Sequence, residues 1–389
     1  MKKYSLEKYK EEKKNKKSIK ITIITILILI VLIVLSLYMA NRSFRSFIDT
    51  HILHKEIASE NANALTIDTE NLSLIYPYDD KLAIYTDGNI NIYNDSAKNI
   101  ANIEITLSKP IADTEADYLV LGDYESQKVC LIKSNNLVWQ KDIEGKVSKV
   151  NVNKKGYVAV SVFGTTYESI VMVFNPKGEL MFSDYLSTYV IETEISEDNK
   201  YLAIAQIDNS GISPTSKIEI ISINKAIEDS SNATVNTYQA ETNEMLTGIK
   251  YQGQDKLLCC FDDYVVKMDD KESKKIYECN DLTAYVDAHL SNGFVRIDKE
   301  QSSVFKSDYR LKICNEGKKE KVYIVEGSLK ELKTAEKVSG INLGMEVQFI
   351  NNNGWLIKKY TTKQEFKEFK LSRKLGIIIY DEKIDIIKL

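Results

Sequence analysis

The stretch VSKVNVNKKGYVAVSVFGTTYESIVMVFNPKGELMFS, residues 147–183, decides the fold. It holds four short β-type runs. Residues 147–152 alternate loosely, and Asn153-Lys154-Lys155-Gly156 then turns. Residues 157–163 are an almost unbroken apolar run. Residues 170–174 are another, followed by the turn Asn175-Pro176-Lys177-Gly178, and residues 179–183 finish the unit. Each run has the length, the β-branched or aromatic content and the flanking turn residues of a strand. A single sheet that is apolar on both faces cannot cover itself, so the unit requires neighbours of its own kind.

Those neighbours recur along the chain, and the apolar second strand marks them. It reads LAIY at 82–85, YLVL at 118–121, YVAV at 157–160, YLAI at 201–204, LLCC at 257–260 and FVRI at 294–297. Two weaker copies lie at 338–343 and 375–380, and successive copies start 36 to 56 residues apart. A third strand follows each, at 90–93, 129–133, 170–174, 218–223, 265–268, 311–314, 346–350 and 383–389. The widest gap holds residues 224–234, read as a short helix or a loop. Strands apolar on both faces usually belong to parallel sheets covered by crossover helices. No such helices interrupt this series. The remaining way to cover a small antiparallel sheet is to stack it between two like sheets around an axis, which is a β-propeller. The sequence therefore predicts an all-β domain over 64–389, an eight-bladed propeller of four-stranded antiparallel sheets, with seven blades as the alternative. The last copy supplies only three strands. The orphan run Ala64-Leu-Thr-Ile-Asp68 is expected to pair with residues 383–389 and close the ring.

The N-terminal region reads differently. Residues 1–20 carry nine lysines against three glutamates, and the rest of the chain has ten more acidic than basic residues. Residues 21–40, ITIITILILIVLIVLSLYMA, contain no charge and are long enough to cross a hydrocarbon core of about 30 Å. The run exceeds the usual apolar region of a signal peptide, and Tyr38 spoils a small-x-small cleavage site. It is read as an uncleaved anchor with residues 1–20 in the cytoplasm, because the lysines lie on that side. Residues 41–63 follow as a juxtamembrane helix or stalk, and residues 64–389 lie outside.

The acidic bulk and the absence of a basic stripe argue against a nucleic-acid partner. The run Ser196-Glu-Asp-Asn-Lys200 before Tyr201-Leu-Ala resembles a turn of several propeller families. Asn136-Leu-Val-Trp139 looks like a blade motif of quinoprotein-type propellers, but it occurs once, without their repeated glycine and tryptophan pattern. The stretch from Leu343, LGMEVQFINNNGWLIKKYTTKQEF, and GIIIYDEKIDIIKL at 376–389 resemble a family of uncharacterised bacterial proteins. In that family a basic tail and one membrane span precede a propeller-like domain. The resemblance implies an extracytoplasmic propeller and transfers no functional residues.

Chemistry is sparse. The five cysteines, Cys130, Cys259, Cys260, Cys279 and Cys314, form no C-x-x-C pair and read as small hydrophobes in strands. Cys259 and Cys260 adjoin, so they point to opposite faces of a strand. His51 and His54 are three residues apart but lack further ligands. His289, near Asp287 and Ser291, has no G-x-S-x-G nucleophile motif in the chain and reads as a strand-end histidine. Asp262-Asp263 and Asp269-Asp270 lack the alternating pattern of a calcium loop and read as turn acids. No residue is expected to be catalytic, cofactor-binding or metal-binding. The expected function is recognition of an envelope protein or cell-envelope polymer by propeller loops. The competing class is a hydrolase or oxidoreductase at the central channel, and a third is a structural envelope component.

Overall fold

The computed structural model describes residues 2–40, 44–45, 48, 52, 62–69, 72–242, 244–301 and 307–389. Most of the expected juxtamembrane stretch, His51 included and His54 with it, lies outside the described residues. The N-terminal unit is a single helix, α1 (Lys2–Ala40), which takes in both the basic tail and the apolar run. Its part Ile21–Ala40 is long and apolar enough to cross a membrane. The aliphatic side chains along it are exposed, unlike those of a soluble core helix. An exposed helix of this composition fits a membrane anchor or a signal peptide.

The strand-rich unit contains eight four-stranded antiparallel sheets, each built from strands consecutive in the chain, save one. They are numbered as blades 1–7 over residues 74–104, 110–142, 146–186, 189–239, 246–278, 283–325 and 331–361. The eighth blade takes three strands from residues 368–388 and its fourth from Asn63–Thr66. This is an eight-bladed β-propeller. The stretch quoted above becomes blade 3, with strands Lys146–Val152, Val158–Phe163, Ser169–Phe174 and Leu180–Leu186. The wide gap after Tyr201 holds a short helix, α2 (Ile223–Glu228), and one 3₁₀ turn, Ser230–Asn232.

Ring closure follows the expected pairing. Asn63, Ala64, Leu65 and Thr66 stand opposite Ile386, Asp385, Ile384 and Lys383 in an antiparallel ladder. The Thr69 hydroxyl donates to the Tyr380 carbonyl and adds a buried tie beyond the ladder. Apolar packing continues the seam: Ile75, Leu82 and Ile84 of blade 1 pack with Leu375, Ile377 and Ile384 of blade 8.

The core lies between blades rather than within any one of them. Val120, Val129 and Leu131 of blade 2 meet Val147, Val158 and Val160 of blade 3. Val171 and Val173 on the other side of blade 3 meet Leu202 and Ile204 of blade 4. Each second strand therefore needs apolar residues on both faces, which is why it is the best sequence marker. Cys259 and Cys260 obey the same rule. Cys259 joins the cluster between blades 4 and 5, and Cys260 the cluster between blades 5 and 6. All five cysteines are free thiols.

Blades 7 and 8 solve the packing in another way. Their second strands carry Gly340 and Gly376. A Cβ on Gly340 would stand 2.4 Å from Cζ of Phe369, and one on Gly376 would stand 2.5 Å from Cζ of Phe349. The two phenylalanines are fully buried and meet edge to face at 5.9 Å. The glycines cede their side-chain volume to large rings from the neighbouring blade.

Candidate functional site

The first strands of seven blades, with His289 after the first strand of blade 6, line a central cavity of about 360 Å³. Its wall is charged. Asp113 and Glu115 come from blade 2, Asn151 from blade 3, Glu192 and Glu194 from blade 4, and Lys250 from blade 5. Alternate strand residues share a face, so the D-x-E at 113–115 and the E-x-E at 192–194 each aim both acids inward.

Most of these groups neutralise one another. Lys250 Nζ lies 2.8 Å from Glu115 and 2.7 Å from Glu194. Burial disfavours its charge, but the Glu194 and Glu115 carboxylates outweigh that and hold its pKa well above the usual lysine value. Asn151 donates to Asp113 and Glu194, 3.0 Å each, and the Val152 amide donates to Asp113 at 2.9 Å. Burial pushes the Asp113 carboxyl up to about 7, against the pull of Lys250 and with the help of the Glu194 charge. Burial also raises Glu192, whose carboxylate accepts from the Ile249 amide at 3.1 Å.

His289 stands at one mouth of this channel, after the strand Thr283–Asp287. Its Nδ1 lies 2.9 Å from Asp287. Burial works against its charge, yet the Asp287 carboxylate prevails and holds the imidazole up at about 9. Gly248 leaves room between blades: a Cβ there would lie 3.7 Å from His289 Cε1 and 3.9 Å from Glu192 Oε2. Ser291, the third member of the trio noted in the sequence, donates its amide to the Glu336 carbonyl. The structure thus brings His289 to Asp287 and to the cavity wall. Sequence reading missed the inward acids of blades 2 and 4. The signal was there in the alternation of acids just before an apolar second strand.

Antiparallel order sorts the connections onto two faces. The second-to-third turns and the blade-to-blade connections form one, called the upper face. The first-to-second and third-to-fourth turns form the lower face. The lower rim is stitched by ion pairs between neighbouring blades. Arg373 and Lys374 of blade 8 hold Asp79 of blade 1 at 2.7 and 3.0 Å, and Lys154 of blade 3 holds Glu197 of blade 4 at 2.5 Å. The two aspartate pairs of blade 5 divide between faces. Asp262 accepts from the Met245 amide on the upper face, while Asp269 accepts from Lys271 and Glu272 in a lower turn.

Among the described residues of the propeller, all the exposed aromatic side chains but Tyr285, on the first strand of blade 6, lie on the upper face. Phe163, Tyr167, Tyr185 and Tyr189 are 37%, 47%, 54% and 41% exposed, all at the upper ends of blades 3 and 4. The Tyr167 and Tyr185 rings lie 5.2 Å apart, and Tyr124 of blade 2 meets Phe163 edge-on at 6.0 Å. Ile212, Met245, Leu282 and Met345 stand exposed on the same face. At the lower ends the exposed large aliphatic side chains are scattered: among the described residues they include Ile227 in a turn and Ile100, Leu137 and Leu180 at the starts of fourth strands.

Residues 54–389 match the profile of a family of unknown function, DUF5711. The chain belongs to that family. No curated protein matches this family member. Among solved structures it is similar to apo AztD from Citrobacter koseri, at 9% identity and a TM-score of 0.54, over 79% of this chain and 91% of that one. A second crystal structure of Citrobacter koseri AztD gives 9% identity and a TM-score of 0.52, over 77% and 87%. BamB from Moraxella catarrhalis is 11% identical with a TM-score of 0.49, over 85% of this chain and all of that one. At such identities the AztD likeness speaks for the propeller fold of this DUF5711 protein alone.

Proposed function

We propose that this DUF5711 protein is a membrane-anchored recognition or scaffold protein, with its N-terminus cytoplasmic and its propeller outside. It binds a protein or polymer of the cell envelope through the loops of its upper face. The exposed aromatic run of blades 3 and 4 carries this reading. Monomeric soluble proteins seldom leave several large rings adjoining in solvent, and such patches mark interaction surfaces. Tyrosine is favoured there because it offers large area at little entropic cost. The orientation rests on the nine lysines that precede the apolar run.

The channel groups are the basis of the rival, enzymatic reading, since Asp113, Glu192 and His289 share one cavity wall and all three hold their protons unusually well. Their mutual pairing favours a structural role. The test uses the full-length protein in its own membrane. Protease added to wall-stripped cells should remove the propeller and spare the tail. An envelope protein or polymer captured by crosslinking should be lost in Tyr167→Ser/Tyr185→Ser while the melting temperature holds. Turnover of a substrate that vanishes on His289→Gln would replace this reading with the enzyme, and a protease-protected propeller would reverse the orientation.

A further inference from the structure

The two faces of the propeller differ in charge as well as in exposed rings. Among the described residues, the upper connections carry fourteen carboxylates against four lysines. The lower turns carry, among the described residues, sixteen carboxylates against twelve lysines and arginines, and three of these cations stand in the inter-blade pairs with Asp79 and Glu197. The second-to-third turns are the extreme case. Among the described residues they hold seven acids and no lysine or arginine, and Lys306 falls outside the described residues. Around the aromatic run itself, Glu125, Glu144 and Glu168 are exposed. Glu125 pairs with Lys109 at 3.1 Å, and Glu168 draws on the Tyr189 hydroxyl, raising that phenol's pKa.

We infer that the upper face is a docking surface for a cationic, apolar segment of another polypeptide. This deepens the loop-face reading above and rests on it. Complementary charge steers encounter and excludes partners of like sign. An acidic face repels anionic lipid and phosphate-bearing wall polymers, and it attracts lysine- and arginine-rich chain. The rings Phe163, Tyr167 and Tyr185 supply the apolar ground on which aliphatic residues and the methylene stems of lysine settle, and cations gain further over aromatic faces.

The test places the full-length protein in nanodiscs of uncharged phosphatidylcholine and measures anisotropy of dye-labelled synthetic peptides. One alternates lysine with leucine, one alternates glutamate with leucine, and one alternates lysine with serine. The lysine–leucine peptide should bind at least tenfold more tightly than either of the others. Raising salt from about 50 to about 500 mM should weaken it severalfold, since exposed charges are screened within about 4 Å at the upper value. Tyr167→Ser/Tyr185→Ser should weaken it about tenfold. Glu144→Lys, on an exposed turn where folding is not at stake, should weaken it as well. Equal binding of the glutamate–leucine peptide would overturn the charge assignment. So would retention of polyglycerol phosphate or anionic vesicles that is lost in the tyrosine variant, though the loop-face reading would then stand. Binding indifferent to every upper-face change would sink both.

Discussion

Asp113 and His289 hold their protons in the folded protein more firmly than they would in an unfolded chain, and this ties stability to pH. As pH rises from about 4 to about 7, an unfolded Asp113 loses its proton while the folded carboxyl, at about 7, keeps it. The folded state therefore loses stability over that window. His289 adds a second limb, because its folded value of about 9 lies above the ordinary 6.5. Its contribution, reduced by solvent screening because the side chain is 45% exposed, is present below about 6.5 and is lost as pH climbs to about 9. Asp113→Asn should gain on the wild type between pH 4 and 7 and then run parallel to it. His289→Gln should melt lower than the wild type at pH 6, with the gap closing by pH 9. Scanning calorimetry of the full-length protein checks both, with expected gaps of about 1.5 °C for each kcal/mol in a domain of this size. Curves that stay parallel throughout would show that neither group is coupled to folding.

At the scale of single elements, the glycines of blades 7 and 8 give the sharpest handle. Gly340→Val or Gly376→Val would drive a side chain into a buried phenylalanine ring, and overpacking of this kind costs about 1–3 kcal/mol. The melting temperature should fall by several degrees, and Phe369→Ala combined with Gly340→Val should recover part of the loss. No recovery would place the strain elsewhere. The same glycines explain why these two copies were the faintest in the sequence. Val338-Ser-Gly-Ile-Asn342 and Leu375-Gly-Ile-Ile-Ile379 lack the unbroken large side chains of YVAV or YLAI, because the missing volume comes from the next blade. Blade number and strand order were legible because every second strand is buried on both faces. The channel wall was marked only by the D-x-E at 113–115 and the E-x-E at 192–194. A carboxylate on a first strand looks like any solvent-facing alternate residue until eight such strands converge on one axis. The aromatic run was hidden for a similar reason, since Tyr124 and Phe163 meet only after blades 2 and 3 stack, and Tyr167 and Tyr185 only after blade 3 folds.

For the whole molecule, the clasp between Asn63–Thr66 and Lys383–Lys388 makes eight sheets into one cooperative body. Each blade shares its core with two neighbours, so opening one seam exposes two apolar faces and two strand edges. Removal of residues 383–389 should therefore lower protection from hydrogen exchange in blades 3 and 4 as well as in blades 1 and 8. Loss confined to blades 1 and 8 would mean that the blades unfold independently.

That clasp also sets a schedule for synthesis. Asn63 and its partner Ile386 are separated by more than three hundred residues. At about 5–20 residues per second, the early strand waits on the order of tens of seconds for its mate to be made. During that interval blade 1 presents an uncovered apolar face, and the short strand from Asn63 has nothing to pair with. Contacts this remote in sequence slow folding, so the nascent protein depends on whatever shields its first blade until translation reaches residue 388.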